Sequence, residues 1–444
     1  MKIQLSDHFT YKKLFRFVLP SIIMMVFTSI YGVVDGLFVS NFVGKTAFAS
    51  INLIMPFTMI LGSVGFMVGT GGTALVSMTM GTGNDKKANH YFSMLVKFTI
   101  ITGIIVSVIG VIFTKEVAIL FGADESMISD CVLYGRIVIS FTTAYMLQNV
   151  FQSFFVTAEK PKLGLIVTVI SGITNMVLDA LFIAGFKMGV EGAAIATGIS
   201  QVIGGVLPII YFMRNNDSRL KLLFKDSKLE LSPILKACGN GVSELMSNIA
   251  ASIVSILYNY QLMRFAGENG VSTYGVLMYV QFIFIAIYIG YSVGCVPIIG
   301  YNYGAYNFDE LKNMRKKSIK IMLGLGVILM TLAEVLALPL AKLFVGYDKE
   351  LLDMTEYAFR IFSISFVLSG FNIFTSSFFT ALGNGAVSAI ISFLRTLVFQ
   401  MLMVIVLPIF FEIDGIWYSL IVAEVCASII STIYLVVEKK KYNY

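Results

Sequence analysis

Long apolar stretches, separated by short polar ones, dominate the chain. Each has at least the roughly 20 residues that a helix needs to cross about 30 Å of hydrocarbon. Twelve can be counted, and they leave little room for a soluble domain. They cover residues 15–40, 47–79, 91–114, 127–157, 163–186, 190–213, 233–262, 271–300, 316–341, 352–381, 386–410 and 413–437. The pattern predicts an all-α polytopic membrane protein with twelve transmembrane helices.

Composition and charge add an orientation to this picture. Of the 444 residues 57% are hydrophobic and 13% charged, and the mean hydropathy is +0.85. No small-residue cleavage site ends the first apolar stretch, so we expect the N-terminal tail to be retained. Of the 32 Lys and Arg residues, 22 fall on the side of the two termini, six on the opposite side and four inside helices. The positive-inside rule then predicts a multi-pass protein of the cell (inner) membrane with both termini in the cytoplasm.

The net charge of +6 follows from this loop bias. It predicts contact with anionic lipid of the bilayer and no nucleic acid partner. The four cysteines form no CxxC pair, and the two histidines lie in polar stretches. We therefore predict no metal centre, no disulfide framework and no cofactor.

The two halves of the chain resemble each other. The letters MGT at 80–82 match YGA at 303–305, an offset of 223, and QSFF at 152–155 matches SSFF at 376–379, an offset of 224. Such an offset is close to half the chain length, 222, and indicates a near tandem duplication. With six helices in each copy, it predicts an N-terminal lobe, 1–213, and a C-terminal lobe, 233–444, related by a pseudo-twofold along the membrane normal.

The segment between the lobes, 214–232, alternates charged residues with Leu and Phe. This pattern is typical of a cytoplasmic amphipathic linker or short helix at the membrane surface. A merely solvated connector is the alternative.

The fifth apolar stretch carries the most informative polar pair, Asn175 and Asp179. Residues four apart share one helix face. A carboxylate at the bilayer centre costs about 2.5–3.5 kcal/mol on insertion scales, so an intramembrane Asp indicates an ion pathway or a proton relay.

The first predicted helix has a second acid at a similar depth. Asp35 lies one turn after Tyr31, and the two acids can share a polar chamber. Pro20, in the same helix, leaves a backbone carbonyl unpaired and permits a bend, so it is a candidate hinge.

Other polar residues lie in the neighbouring helices. Gln148 and Gln152 occupy the fourth predicted helix and Thr197 the sixth. They are candidates to line the chamber, although amides and hydroxyls also join membrane helices as structural hydrogen bonds.

The second lobe has a different set of charges. The repeat places Tyr258 and Leu402 where the first lobe has its two acids. Glu244 lies alone in the seventh helix. Arg395 and Glu424 are mid-membrane in neighbouring helices, which predicts a structural ion pair.

Four features of the chain are informative in combination: Pro20 with Asp35, the letters MGTGND at 80–85, Asn175 with Asp179, and the letters GAAIAT at 192–197. Together they make the whole chain resemble the multidrug and toxin extrusion (MATE) family, most closely its MepA-like and DinF-like bacterial branch. The resemblance implies a V-shaped, twelve-helix, monomeric antiporter and not an enzyme. It would export small organic cations in exchange for H⁺ or Na⁺ by alternating access. The implied cation-coupling cluster is Asp35, Asn175, Asp179 and Thr197, with Tyr31 one turn away.

One departure from the family pattern bears on the coupling ion. NorM-type relatives carry acids in the seventh and tenth helices. Glu244 could supply the first, but the tenth helix has Asn372 and no acid at membrane depth. We therefore expect H⁺ coupling through the first lobe, with Na⁺ at Asp35 and Asp179 as the alternative, and we regard Glu244 and Asn372 as candidates to line the substrate path.

Three other functions compete with antiport of organic cations. A lipid-linked oligosaccharide flippase of the same superfamily is the main alternative, and it should have several central Arg or Lys residues. A membrane-embedded enzyme would need a His-rich, Cys or paired-carboxylate centre, and no His lies in a predicted helix. A channel would need a repeated filter motif, which the sequence lacks.

Overall fold

The structure, a computed structural model, describes residues 3–225 and 227–444. Within these two ranges the regular structure is entirely helical. We number the α-helices α1 Tyr11–Phe42, α2 Lys45–Gly81, α3 Asp85–Leu120, α4 Ile128–Ser140, α5 Thr142–Thr157, α6 Pro161–Asp179, α7 Gly189–Met213, α8 Leu231–Gly304, α9 Phe308–Val345, α10 Lys349–Ser363, α11 Phe366–Ala381, α12 Gly385–Phe393, α13 Gln400–Val437 and α14 Lys439–Tyr442. Two π-helical segments, Ala180–Gly185 and Leu394–Phe399, follow α6 and α12.

The helices do not coincide one to one with the twelve predicted stretches. By length and composition, eight helical segments of the described chain could cross a membrane, or nine if α10 and α11, which meet at 47°, form one bent span. The count is lower because two segments each contain two apolar stretches. Gly267 interrupts α8 (φ 60°, ψ −148°) and Glu412 interrupts α13 (φ 49°, ψ −129°). The stretch 127–157 is divided into α4 and α5.

The repeat seen in the sequence extends to the starts of α3 and α9. Asn84 and Asn307 are the N-caps, and each Oδ1 accepts the backbone N–H three residues later, at 3.0 and 3.2 Å. The residues before them, Gly83 and Tyr306, both have positive φ. The same short sequence therefore builds the same helix start in both halves of the chain.

The two halves, 3–213 and 231–444, pack most closely where α2 meets α8. A Cβ on Gly71 would collide with the carbonyl of Ala237, and a Cβ on Gly241 would collide with that of Met67. The glycines thus allow the two backbones to touch. This contact lies toward the end of the bundle that carries both chain termini, which we call the terminal end.

An N-terminal strap, residues 3–10, crosses the terminal end and joins the two halves. Its two apolar anchors, Leu5 and Phe9, are fully buried. The N–H of Leu5 donates to Glu159 of the first half at 2.9 Å, and the C=O of Leu5 accepts from Asn302 of the second half at 3.2 Å. One peptide group of the strap is therefore held from both sides.

Glu310, in the first turn of α9, holds the other end of the strap. Its carboxylate is nearly buried and accepts from the N–H of Phe9 at 3.0 Å and from the side-chain amide of Asn313 at 2.7 Å. His8 Nδ1 lies 2.6 Å from its second oxygen. Three partners thus converge on one buried carboxylate.

The segment between the halves is not the short helix that the sequence analysis considered. Its described residues, 214–225 and 227–230, contain no helix. Leu220 and Leu222 are buried and Arg219 pairs with Asp85 at 2.7 Å, so the segment lies along the start of α3 in an extended form. The backbone N–H groups of Lys221 and Leu223 donate to Asn89 and Ser93 of α3, each at 2.7 Å, and replace bonds that a helix would supply.

The strap makes a stability prediction. Glu310→Ala should leave buried donors unpaired and cost about 1–3 kcal/mol, seen as a lower thermal unfolding midpoint of the purified protein in detergent. Asp309→Ala is the matched control, because the neighbouring Asp309 side chain is 99% exposed. Equal midpoints for the two variants would show that the strap does not stabilise the fold.

Candidate functional site

Asp35 and Asp179 face each other across the packed helices α1 and α6. Asp179 is fully buried and Asp35 is partly exposed. Their carboxyl groups lie close enough to share a hydrogen bond. Because a carboxylate can only accept, such a bond exists only when one of the two carries a proton.

Local sequence places both acids in this position. Gly172, Asn175 and Asp179 follow the i, i+3, i+7 spacing of one helix face. A Cβ on Gly172 would lie 3.0 Å from the ring of Tyr31, so glycine lets α1 and α6 approach closely here. α6 changes to π-helical geometry directly after Asp179. Such segments are frequent at functional sites.

Apart from the contact between the two acids, several buried polar atoms at this point have no hydrogen-bond partner among the described residues. They are both oxygens of Asp179, Oδ1 of Asp35, both amide atoms of Asn175 and Oγ1 of Thr197. Each such group costs free energy if it stays unsatisfied. No Lys or Arg whose side chain the structure describes pairs with either acid. The atoms available to bind an ion are therefore mostly oxygens, and the site is anionic. Such a site suits a proton or a small monovalent cation.

Two tyrosines that the sequence analysis missed complete the surroundings. Tyr134, in α4, is buried with its hydroxyl close to both acids and to Thr197. Tyr145, in α5, lies next to Tyr31. A spacing of eleven residues, three helical turns, puts Tyr134 and Tyr145 on similar faces of one span. That spacing is the signal from which they could have been found.

Gln148 and Gln152 have different positions. Gln148 is buried beside the Tyr31 hydroxyl, and its Oε1 has no partner in the described chain. Gln152, one turn further along α5, donates to Thr168 Oγ1 of α6 at 3.5 Å. Gln148 thus belongs with the acids, whereas Gln152 joins two helices.

We define the acidic chamber by the residues that meet here. They are Tyr31, Asp35, Tyr134, Gln148, Asn175, Asp179 and Thr197.

Glu244 lies outside the acidic chamber. It is half-buried in α8, on the face that carries Ala237 and Gly241 toward α2, one turn beyond their contact. Its carboxylate makes no hydrogen bond or ion pair within the described residues. It therefore lies at the edge of the contact between the two halves.

Arg395, Glu424 and Asn372 form a separate buried network in the second half. Glu424 is 1% exposed and its Oε1 accepts from Arg395 Nε at 2.9 Å and Nη2 at 2.7 Å. The amide of Asn372 donates to Glu424 Oε2 at 2.7 Å, and Ser431 donates to Asn372 Oδ1 at 3.0 Å. Asn372 is thus fully engaged with the ion pair.

Pro20 lies within α1, which is continuous from Tyr11 to Phe42. It is buried close to the residues of α1 that pack on α8, since Ile22 contacts Gly290 and Val18 contacts Gly294. The candidate hinge is therefore beside the part of α1 that the second half holds.

The fold and the site together define an integral membrane protein, a multi-span helical bundle with a buried acidic chamber. The MatE family model matches the chain twice, over residues 20–181 and 245–406, one match in each half. The chain belongs to the MatE family. It is a membrane transporter and not an enzyme.

Relatives and solved structures agree with this assignment. Multidrug export protein MepA of Staphylococcus haemolyticus (strain JCSC1435) is 27% identical over 424 residues, covering 94% of this chain and 91% of that protein. MepA of Staphylococcus aureus (strain MRSA252) is 26% identical over 425 residues, covering 94% and 92%. A crystal structure of MATE in complex with MaL6 superimposes with a TM-score of 0.93 at 21% identity, covering 98% of each chain. An outward-facing conformation of a multidrug resistance MATE family transporter of the MOP superfamily also gives 0.93 at 21%, covering 100% of this chain and 98% of that one.

The unsatisfied chamber makes a prediction about stability. Asp179→Asn keeps the shape and removes one of two adjacent acids that disfavour each other's charge, so the free energy of unfolding should rise by about 0.5–2 kcal/mol. The measurement is the thermal unfolding midpoint in detergent at neutral pH. Asp309→Asn, at an exposed position, should leave the midpoint unchanged. A midpoint lowered by Asp179→Asn would mean that the chamber is satisfied as it stands.

Proposed function

We propose that the protein is a secondary antiporter that exports lipophilic organic cations in exchange for H⁺. The observation that carries this proposal is the acidic chamber, in which two adjacent carboxyl groups have no cationic partner among the described residues. The multidrug export named for the MepA relatives agrees with it. Na⁺ is the alternative coupling ion.

The membrane arrangement that we propose has twelve crossings, six in each half. The parts of α8 before and after Gly267, 231–266 and 268–304, have 36 and 37 residues, about 54 and 55 Å at 1.5 Å per residue, so each is long enough to cross a bilayer. The break at Gly267 would separate two crossings, and the break at Glu412 would separate the last two. α4 with α5, and α10 with α11, would each be one interrupted crossing. The excess of Lys and Arg on the side of the termini supports a cytoplasmic location of the terminal end.

The packing supports an outward-facing state. The close glycine contacts between α2 and α8 and the strap all lie at the terminal end. A bundle held together at its cytoplasmic end opens its cleft toward the outside. To expose the cleft to the cytoplasm, these contacts would separate and the two halves would rock against each other.

The acidic chamber would couple this movement to protons. Two adjacent carboxyl groups away from water disfavour a second negative charge, so the pair binds a proton or another cation strongly. Protonation from outside would change the contacts between α1 and α6. α1 would then bend near Pro20, because the second half already holds the first turns of α1. After this bend the chamber would no longer favour a cationic substrate.

Substrate recognition would use the cleft between the halves. Glu244, at the edge of the inter-half contact, can attract a cation, and Gln148 can donate or accept a hydrogen bond. Aromatic and Met side chains suit flat lipophilic cations through cation–π and thioether contacts.

Energetics constrain the stoichiometry. Exchange of one H⁺ for one monovalent cation moves no net charge, so the pH gradient alone would drive export. A tenfold gradient corresponds to about 1.4 kcal/mol, whereas moving one charge through 100 mV gives about 2.3 kcal/mol. The voltage would contribute only if more than one H⁺ moved per cation.

The coupling assignment can be tested in proteoliposomes with a fluorescent cationic dye. Asp35→Asn and Asp179→Asn should each reduce dye transport driven by a pH gradient to the rate of protein-free vesicles, because the proton carrier is lost. Glu116→Gln, a charge removal in α3 away from the chamber, is the control. Repeating the assay with a Na⁺ gradient distinguishes the two coupling ions. Parental rates for both chamber variants would refute the assignment.

The rocking movement can be tested by a disulfide at the terminal end. A Cβ on Gly300 would lie 3.4 Å from Cβ of Ser77, close to the separation found in disulfides. In a background without Cys131, Cys238, Cys295 and Cys426, oxidised Ser77→Cys/Gly300→Cys should stop transport, and a reductant should restore it. Ser77→Cys alone should be insensitive to the oxidant. Full transport by a demonstrably cross-linked protein would show that this end does not open.

A further inference from the structure

A groove between α3 and α4 lies on the surface of the first half, at the end of the bundle opposite the terminal end. Its volume is about 410 Å³. Apolar side chains, Val132 and Ile137 among them, form much of its lining. The same lining contains two cations, Lys115 of α3 and Arg136 of α4. The groove therefore combines an apolar wall with two positive charges.

Helix packing holds the two cations at one level of the bundle. A Cβ on Gly135 would lie 2.7 Å from Cγ2 of Thr114, so α3 and α4 are in close contact at these two residues. Lys115 and Arg136 are the next residues along the chain from this contact, and both are exposed. Glycine thus permits the close approach that brings the two charges into one groove.

Exposed apolar residues flank these charges on both sides along α3. Ile112, one turn before Lys115, is 59% exposed, and Ile119 and Leu120, about one turn after it, are 56% and 79% exposed. On the surface of a membrane-spanning bundle such side chains face lipid. The level of Lys115 and Arg136 therefore lies within the apolar belt and not beyond it.

The protein itself does not neutralise the two cations. Among the residues that the structure describes, neither the Lys115 nor the Arg136 side chain forms an ion pair or a hydrogen bond. An unpaired Lys or Arg at membrane depth is costly, and such long side chains turn toward the headgroup layer. Snorkelling explains a single cation near a helix end, but it does not explain two cations that share one groove. A ligand with a negative charge and an apolar part would satisfy both features.

We propose that this groove binds an anionic glycerophospholipid, whose phosphate lies between Lys115 and Arg136 and whose acyl chains lie against the apolar wall. A guanidinium matches the geometry of a phosphate, and the ammonium adds a second charge. Basic pockets between membrane-spanning helices bind anionic lipid headgroups.

Phosphatidylglycerol is the lipid that the lining suits best. Ser129 lies seven residues before Arg136 on the same face of α4 and also lines the groove, so its hydroxyl can bond to a glycerol headgroup. Phosphatidylcholine is disfavoured, because its choline ammonium offsets the phosphate charge. The site lies at the opposite end from the Lys and Arg excess of the loops, and it does not depend on the proposed antiport.

The test is native mass spectrometry of the purified full chain, titrated with phosphatidylglycerol or phosphatidylcholine in detergent. The wild-type protein should bind one phosphatidylglycerol in preference to phosphatidylcholine. Lys115→Gln/Arg136→Gln should weaken phosphatidylglycerol binding about 30-fold, or about 2 kcal/mol for two cations, and abolish the preference. Lys342→Gln/Lys349→Gln is the matched control, because it removes two exposed lysines from the same end of the second half.

Each outcome decides the proposal. Loss of the preference in the groove variant alone supports the lipid site. Equal binding by the wild-type protein and the groove variant, or an equal loss in the control variant, shows that the groove is not a site. Displacement of the lipid by inorganic phosphate at equal concentration also contradicts the proposal, because the acyl chains would then contribute nothing. If the double variant fails to fold, Lys115→Gln and Arg136→Gln are measured singly, and each should weaken binding about fivefold.

Discussion

Two carboxyl groups in contact within the membrane-spanning bundle are the interaction on which the rest of this structure depends. Asp35 and Asp179 come from different helices, and no Lys or Arg side chain that the structure describes neutralises them. Two adjacent negative charges in a dry site are strongly disfavoured, so the pair needs a proton or a cation. A transporter that exchanges a proton for a cation needs a site with this property.

The surrounding packing keeps the acids together and joins the two halves at the terminal end. Gly172 brings α6 close to Tyr31 of α1, and Val18 and Ile22 fix the start of α1 against α8. At the terminal end, Gly71 and Gly241 allow backbone contact between the halves. The strap adds hydrogen bonds that involve only a few residues. In the proposed antiport, contacts of this kind would open as a unit, which a large interdigitated core could not do.

Much of this arrangement follows from local sequence patterns. The spacing of Asn175 and Asp179, and the glycines of α2, report directly on helix faces. The pairing of Arg395 with Glu424 follows from the high cost of a lone charge at that depth. The acids themselves were therefore visible in the sequence.

Other features depend on contacts between residues distant in the chain. The strap relies on Glu159, Asn302 and Glu310, whose approach to Leu5 and Phe9 has no local signal. The linker was considered as a short helix, but buried leucines and hydrogen bonds to α3 hold it extended. Gly267 and Glu412 are single non-helical residues, so the apolar stretches on either side of each form one long helical segment, whereas hydropathy counts them as two.

The most direct test of the account is proton release when a cationic dye binds. Purified protein in weakly buffered detergent would be mixed with dye while the pH is followed, and dye binding would be measured separately by fluorescence. The account predicts that binding releases protons from the wild-type protein and that this release disappears when either chamber acid is replaced by Asn. Saturating dye binding without proton release from the wild-type protein would contradict it.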